Sequence, residues 1–170
     1  VRINPGNIGG PDMVELVVNA AKKAGIPMRI GANSGSLPKH LHALAQQDQA
    51  DALVAAAIEE VELLEKLDFY DFKISVKSSH VPTMIRAYRK LSARVPYPLH
   101  LGVTEAGMPF SGSIKSAVGM GALLVDGIGD TMRVSLTADP VEEVKTAFEI
   151  LKALGLRERG PVMIACPSCG

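Results

Sequence analysis

Apolar and polar positions alternate along this chain in two different periods. Five short runs, Val1–Asn4, Met28–Asn33, Asp71–Lys77, Leu99–Thr104 and Thr131–Leu136, alternate with a period of two, as strands do. Between them lie stretches with helical spacing. The first runs from Pro11, with Val14, Val17, Val18, Ala21 and Ala24 on one face and Gly25 as its stop. A short helix is predicted near Lys39–Ala45, and a longer one near Asp51–Leu67, striped by Val54, Ala57, Ile58, Val61 and Leu64. Pro82–Arg94 and Gly112–Val125 are the next two. The last opens on Asp139-Pro140-Val141-Glu142, a capping signature, carries Val144, Ala147, Leu151 and Leu154, and ends at Gly155. A further strand, Val162–Ala165, follows.

Strands alternating with helices predict parallel βα units. In open parallel sheets both faces are covered and strands read as unbroken apolar runs, whereas barrel strands alternate between a lumen and a helix-covered outside. All five runs alternate. Val1, Ile3, Met28, Ile30, Phe72, Ile74, Val76, Leu99, Leu101, Val103, Met132, Val134 and Leu136 take one parity; Arg2, Asn4, Arg29, Asn33, Lys73, Ser75, Lys77, His100, Thr104, Arg133 and Ser135 take the other. The fold class is therefore α/β, a partial (β/α)8 TIM-type barrel of about five C-terminal βα units. Such a barrel needs eight strands and about 250 residues, so roughly three N-terminal units are expected to precede this stretch.

Composition narrows the function classes. The chain has 170 residues, 47% hydrophobic and 21% charged, with 18 basic against 18 acidic side chains. That is enough aliphatic surface for a core and too little net charge for a general field toward nucleic acid or acidic membranes, so neither is expected as a partner. No apolar run reaches the roughly 20 residues of a membrane span and the start lacks a signal-peptide pattern, so a cytoplasmic protein is expected, or a stromal one in a plastid-bearing organism. The two cysteines, Cys166 and Cys169, stand as Cys-Pro-Ser-Cys, which suits a reducing compartment. By itself this pair reads as half of a zinc site, half of an iron–sulfur site, or a redox dithiol.

The lumen parity carries the chemistry. Its charged members are Arg2, Arg29, Lys73, Lys77 and Arg133, all cations; Glu105, just after the fourth run, is the one acid beside them. Converging cations without counter-charges are costly unless a polyanion binds, which points to a phosphorylated small molecule at the C-terminal ends of the strands. Arginine offers bidentate forks, lysine a point charge, and Ser135 or Asn7 a neutral donor. The bland alternative has Arg29 and Lys73 paired with acids from the barrel strands expected to precede this stretch. His40 and His42 read as solvated, His80 as a surface or cap residue, and His100 as a hydrogen-bonded lumen histidine. Glu59, Glu60, Glu62 and Glu65 read as a solvated helix face. Gly119-Met120-Gly121 and Gly127-Ile128-Gly129 lack the third glycine and the placement of a dinucleotide fingerprint.

Six motifs, in order, carry a resemblance: Arg2-Ile3-Asn4-Pro5-Gly6-Asn7-Ile8-Gly9, Ile30-Gly31-Ala32-Asn33-Ser34-Gly35-Ser36-Leu37, Phe72-Lys73-Ile74-Ser75-Val76-Lys77-Ser78-Ser79, Thr104-Glu105-Ala106-Gly107, Asp126 through Leu136, and Ala165-Cys166-Pro167-Ser168-Cys169. From end to end the chain resembles the 4-hydroxy-3-methylbut-2-en-1-yl diphosphate synthase family. The resemblance implies reductive opening of 2-C-methyl-D-erythritol 2,4-cyclodiphosphate, with loss of water, on the non-mevalonate isoprenoid route. It implies the C-terminal part of a substrate-binding barrel over residues 1–156, then at 157–170 a linker and the start of an α+β iron–sulfur domain. Arg2, Asn7, Lys77, Arg133 and Ser135 would hold the diphosphate, and Glu105 with Thr104 would lie at the reacting carbons. Cys166 and Cys169 would be two ligands of a 4Fe-4S cluster whose third cysteine and glutamate are not in this chain. A ferredoxin- or flavodoxin-type electron donor and a homodimer are also implied. The 170 residues alone would then be inactive. The competing readings are a non-redox phosphosugar aldolase or isomerase barrel with a zinc-bound tail, and a non-catalytic phosphate-binding module.

Overall fold

The computed structural model describes residues 1–4, 8, 10–158, 160 and 161. Among them, six α-helices and four strands follow one another as α1 (Pro11–Ala24), β1 (Met28–Ile30), α2 (His42–Gln47), α3 (Gln49–Lys66), β2 (Phe72–Ile74), α4 (Val81–Ser92), β3 (His100–Leu101), α5 (Pro109–Val125), β4 (Thr131–Met132) and α6 (Pro140–Ala153), with 3-10 turns at Ser34–Ser36 and Lys39–Leu41.

The helix boundaries follow local chemistry. α1 begins on a proline and stops where Gly25 turns left-handed (φ 62°), as its sequence predicts. α3 starts earlier than the apolar stripe suggests. Asp48 caps it, its Oδ1 accepting from the amides of Ala50 (2.7 Å) and Asp51 (3.3 Å), and the Ala50 contact holds this carboxyl below its ordinary pKa. At α6 the Asp139 carboxylate accepts from the Val141 amide at 2.8 Å, whereas Glu142 reaches forward to Lys145 and does not close a reciprocal box.

The strands are shorter than the alternation predicts. Val1–Asn4 contributes one parallel bridge, Arg2 to Arg29, and the other four runs keep two or three ladder residues each. The reason lies in the backbone. At Gly31 (φ 151°) the chain passes so close to the Ser75 carbonyl that a Cβ would overlap it, and the regular ladder breaks there. Hydrogen bonding nonetheless continues past the strand ends, with Lys77 N–H donating to Ala32 O, Ser34 N–H to Lys77 O, and Arg133 N–H to Leu101 O.

Among the described residues all pairings are parallel. β1 lies on β2 with Arg29 opposite Lys73, and β3 on β4 with His100 opposite Thr131; bridges Arg2–Arg29 and Ile74–Leu99 join these pairs to each other and to the first segment. The spatial order therefore equals the chain order. With right-handed crossovers, an order that never reverses puts every helix on one side, which makes an arc of a barrel and not a doubly wound sheet. Among the described residues the arc is not closed. The core lies between strands and helices, where Met28, Ile30, Ile74, Val76, Leu101 and Val103 meet Val18, Leu53, Leu64, Met84, Leu91, Met120 and Leu123. The predicted strand Val162–Ala165 lies outside the described residues. No helix among them is long and apolar enough to cross a membrane.

Candidate functional site

Strand parity sends the cations to the side away from the helices. Arg29 stands on β1 with its bridge partner Arg2 beside it, and Lys77 extends the β2 segment, bridged to Asn33. Arg133 follows β4. Their mutual influence shows that they converge. The Lys77 amine is pushed down to about 8, first by burial and then by Arg29, Arg133 and Arg2. Burial, followed by Arg2 and Arg133, lowers Arg29 from its ordinary value. Counter-charges are scarce. Among the described residues no ion pair engages Arg2, Arg29, Lys73 or Lys77, and Arg133 has Glu143 at 4.0 Å.

His100 is buried among these cations. It is 6% exposed, its Nδ1 shares a 2.8 Å hydrogen bond with Thr131 Oγ1, and its Nε2 has no partner among the described residues. Burial, then Lys77, Arg29, Lys73 and Arg133, pull its pKa to about 3, so the imidazole is neutral at physiological pH. The Tyr88 hydroxyl braces the layer behind, donating to His100 O at 2.5 Å and accepting from Val76 N–H at 3.2 Å.

Thr104 and Glu105 come next along the chain from β3. The Thr104 amide donates to Ser78 O, tying this turn to the end of the Lys77 segment. Glu105 is exposed and adopts φ 51°, a left-handed conformation uncommon for a residue with a side chain. Such strain persists where surrounding structure holds it, often at functional turns. Here the bridge of Gly107 to Leu136 and the Thr137 N–H to Gly107 O bond clamp it, so the Glu105 turn runs beside Arg133 and half-buried Ser135. The structure thus brings Arg2, Lys77 and Arg133 together, with Thr104, Glu105 and Ser135 on adjoining segments. Asn7, Cys166 and Cys169 lie outside the described residues. Among the described residues no three His, Cys, Asp or Glu side chains gather as a metal ion would need.

A family model described as the GcpE TIM-barrel domain matches residues 1–148. The chain belongs to the GcpE family. Similar proteins come from Fusobacterium nucleatum (58% identical), Symbiobacterium thermophilum (59%) and Clostridium perfringens (58%), each aligned over all 170 residues and each named 4-hydroxy-3-methylbut-2-en-1-yl diphosphate synthase (flavodoxin). The alignments cover 48%, 46% and 49% of those proteins, so the chain spans about half the length of the curated relatives it matches. The GcpE assignment agrees with the barrel read from strand parity and with the unreversed strand order.

One expectation is corrected by the geometry. Glu60 does not belong to a solvated acidic face: it is 7% exposed and directed at the strands, with the Gly31 amide beside its carboxyl, while Glu59, Glu62 and Glu65 do face solvent. Its Oε2 has no hydrogen-bond partner among the described residues, and burial raises its pKa to about 8. The reason is the width of the buried face of α3, which packs against α2, α4 and β1 together and so buries more than one stripe. His40 and His42 behave as expected, the first pairing with Glu59 at 2.8 Å and the second meeting Leu37 O at 3.1 Å. His80 precedes α4, its ring on the Thr83 hydroxyl. Gly31, Tyr88 and Gly102 also shape the site without having been singled out for it in the sequence, because their roles depend on what the fold places opposite them.

Proposed function

We propose that this GcpE chain forms the substrate-gripping part of an enzyme that reductively opens 2-C-methyl-D-erythritol 2,4-cyclodiphosphate to 4-hydroxy-3-methylbut-2-en-1-yl diphosphate. The balance is two electrons and one proton taken up, the ring C–O bond to the diphosphate cleaved, and the hydroxyl oxygen released as water. The observation that carries the reading is the convergence of Lys77, Arg133, Arg2 and Arg29 with almost no carboxylate among them. A cyclic diphosphate supplies the missing negative charge. The names of the relatives support the same product and a flavodoxin as electron donor.

In this reading Arg2, Lys77 and Arg133 take the phosphate oxygens as charge-assisted partners, and Asn7 and Ser135 add neutral hydrogen bonds that fix orientation. Neutral His100 adds no further positive charge to the lumen. Glu105, beside Thr104, passes the proton to the departing hydroxyl. An iron–sulfur cluster does not fit the described lumen, which offers cations and no thiolate. Cys166 and Cys169, two thiols close in sequence, have the donor chemistry for it, and a bound 4Fe-4S cluster would supply the electrons singly. A homodimer in a reducing cytoplasmic or stromal compartment completes the proposal.

The test is anaerobic reconstitution of the full-length protein and of its Cys166→Ser variant with iron and sulfide, followed by titration with the cyclic diphosphate and turnover with reduced flavodoxin. The parent should bind and turn over; the variant should bind with little change and not turn over. Normal turnover by Cys166→Ser, or no binding by the parent, overturns the reading.

A further inference from the structure

Gly102 follows β3 on the lumen parity, between the buried outward residues Leu101 and Val103. It is itself buried, and its backbone is not in the left-handed region, so conformation does not demand glycine here. Space does. A Cβ at this position would stand 2.8 Å from Lys77 Nζ, 3.2 Å from Lys77 Cε and 2.9 Å from the Arg133 carbonyl oxygen. The hollow left by the absent side chain is filled by the end of the Lys77 side chain.

That placement needs an explanation, because the electrostatics oppose it. Lys77 shares the lumen with Arg2, Arg29 and Arg133, and no carboxylate among the described residues pairs with it. A flexible four-carbon stem repelled by three guanidinium groups would normally swing its ammonium toward water. Two features of the hollow counter this. It accepts the terminal methylene and ammonium without a clash, and it presents the partial negative charge of the Arg133 carbonyl oxygen.

We infer that Gly102 is the seat of the Lys77 ammonium and thereby a positioning residue for the diphosphate grip. The inference rests on the proposed diphosphate reading and adds to it a residue that never touches the ligand. With the ammonium seated, the anion meets a charge already in place beside the Arg133 segment, and the ordering of a long side chain does not have to accompany binding. A larger residue at 102 meets both the Lys77 ammonium and the Arg133 carbonyl oxygen, and the loss of binding follows mainly from moving the ammonium out of the hollow.

A double-mutant cycle on the full-length protein tests this, read by calorimetric titration with inorganic pyrophosphate and with the cyclic diphosphate. Gly102→Ala should raise the dissociation constant about tenfold and Lys77→Met by about ten- to a hundredfold. In the Lys77→Met background, adding Gly102→Ala should change it less than about threefold. An equal effect of Gly102→Ala in both backgrounds would mean that it acts through the Arg133 backbone, and no effect in either would mean that the ammonium needs no seat; both overturn the inference. Unchanged binding in Lys77→Met would instead overturn the diphosphate reading. If Gly102→Ala does not fold, reductive methylation of Lys77 in the parent protein, followed by mass spectrometry across pH, decides. A seated amine should react with a midpoint near 8 and be protected by pyrophosphate. A midpoint at the ordinary lysine value without protection overturns the seat.

Discussion

Replacing Lys77 with methionine should make the protein more stable and less able to bind its ligand. Methionine keeps most of the stem and removes the ammonium. Lys77 titrates near 8 in the folded protein against 10.5 ordinarily, because of burial and three neighbouring arginines. At about 1.4 kcal/mol per pH unit the charged form is disfavoured by roughly 3 kcal/mol, and solvent at its open flank reduces this to about 1–2 kcal/mol. The sign follows from proton counting. Between pH 8 and 10.5 the unfolded chain holds a proton that folded Lys77 has released, so stability rises with pH across that window, and the full penalty stands below pH 8. Lys77→Met should therefore exceed the parent by about 1–2 kcal/mol in urea denaturation at pH 7, with the gap closing between pH 8 and 10.5. Pyrophosphate at about a hundred times the parent's dissociation constant should add about 2.7 kcal/mol to the parent and only about 0.4–1.4 kcal/mol to the variant, whose constant is about ten- to a hundredfold higher, so that the gap between them closes. A variant less stable than the parent at pH 7, or a gap that does not vary with pH, would refute the view that the lumen cations are held against their own repulsion.

Other perturbations probe the remaining parts of the site. Tyr88→Phe leaves both Val76 N–H and His100 C=O buried without this hydroxyl and should cost about 2–3 kcal/mol, read as a lower urea midpoint with an unchanged slope. Glu60→Gln should flatten the pH dependence of stability between 4.5 and 8. In that window the folded protein retains a proton that the unfolded carboxyl has lost, so parental stability falls as pH rises; parallel profiles for parent and variant would contradict this. Glu105→Gln keeps the shape of the turn and removes the proton, so turnover should drop by roughly a hundredfold with near-normal substrate affinity; a loss of affinity in place of turnover would make Glu105 an ion-pair partner of the cations.

The helix-facing half of the molecule was legible in the sequence to a degree that the lumen-facing half was not. Ile3, Met28, Ile30, Phe72, Ile74, Val76, Leu99, Leu101, Val103 and Val134 are buried as their alternation predicts, because parity alone decides which way a strand side chain points. Val1 has the same parity and is 60% exposed, since alternation carries no information about whether anything covers a face. Asp48 escaped notice as a helix cap because the apolar stripe of α3 starts several residues later. Glu60 escaped because an acidic cluster reads as solvated until the number of elements around its helix is known. Gly102 carries no pattern at all: its role arises only when Lys77, 25 positions earlier, is laid across it. The cations themselves were legible as a set, since five on one parity without an acid is improbable for a structural face.

How those five divide is a matter of register, and register sorts them. Lys73 sits opposite Arg29 in the β1–β2 ladder, whereas Lys77 lies one bridge beyond the strand ends, opposite Asn33. Lys73 contributes to the depressed pKa of His100 but is not among the charges acting on Lys77, while Arg29 and Arg133 act on both. By register Arg2, Arg29 and Lys73 lie level with one another, His100 lies a step nearer the C-terminal ends of the strands, and Lys77 and Arg133 lie beyond it. On the proposed reading, a ligand entering at the C-terminal ends of the strands meets Lys77 and Arg133 first. It neutralises the charges whose repulsion is greatest at Lys77 and leaves the imidazole below uncharged. The neutral histidine thus reduces the repulsion under a grip that must stay cationic. Its Nε2, without a partner among the described residues, costs less than a second buried charge at that depth would.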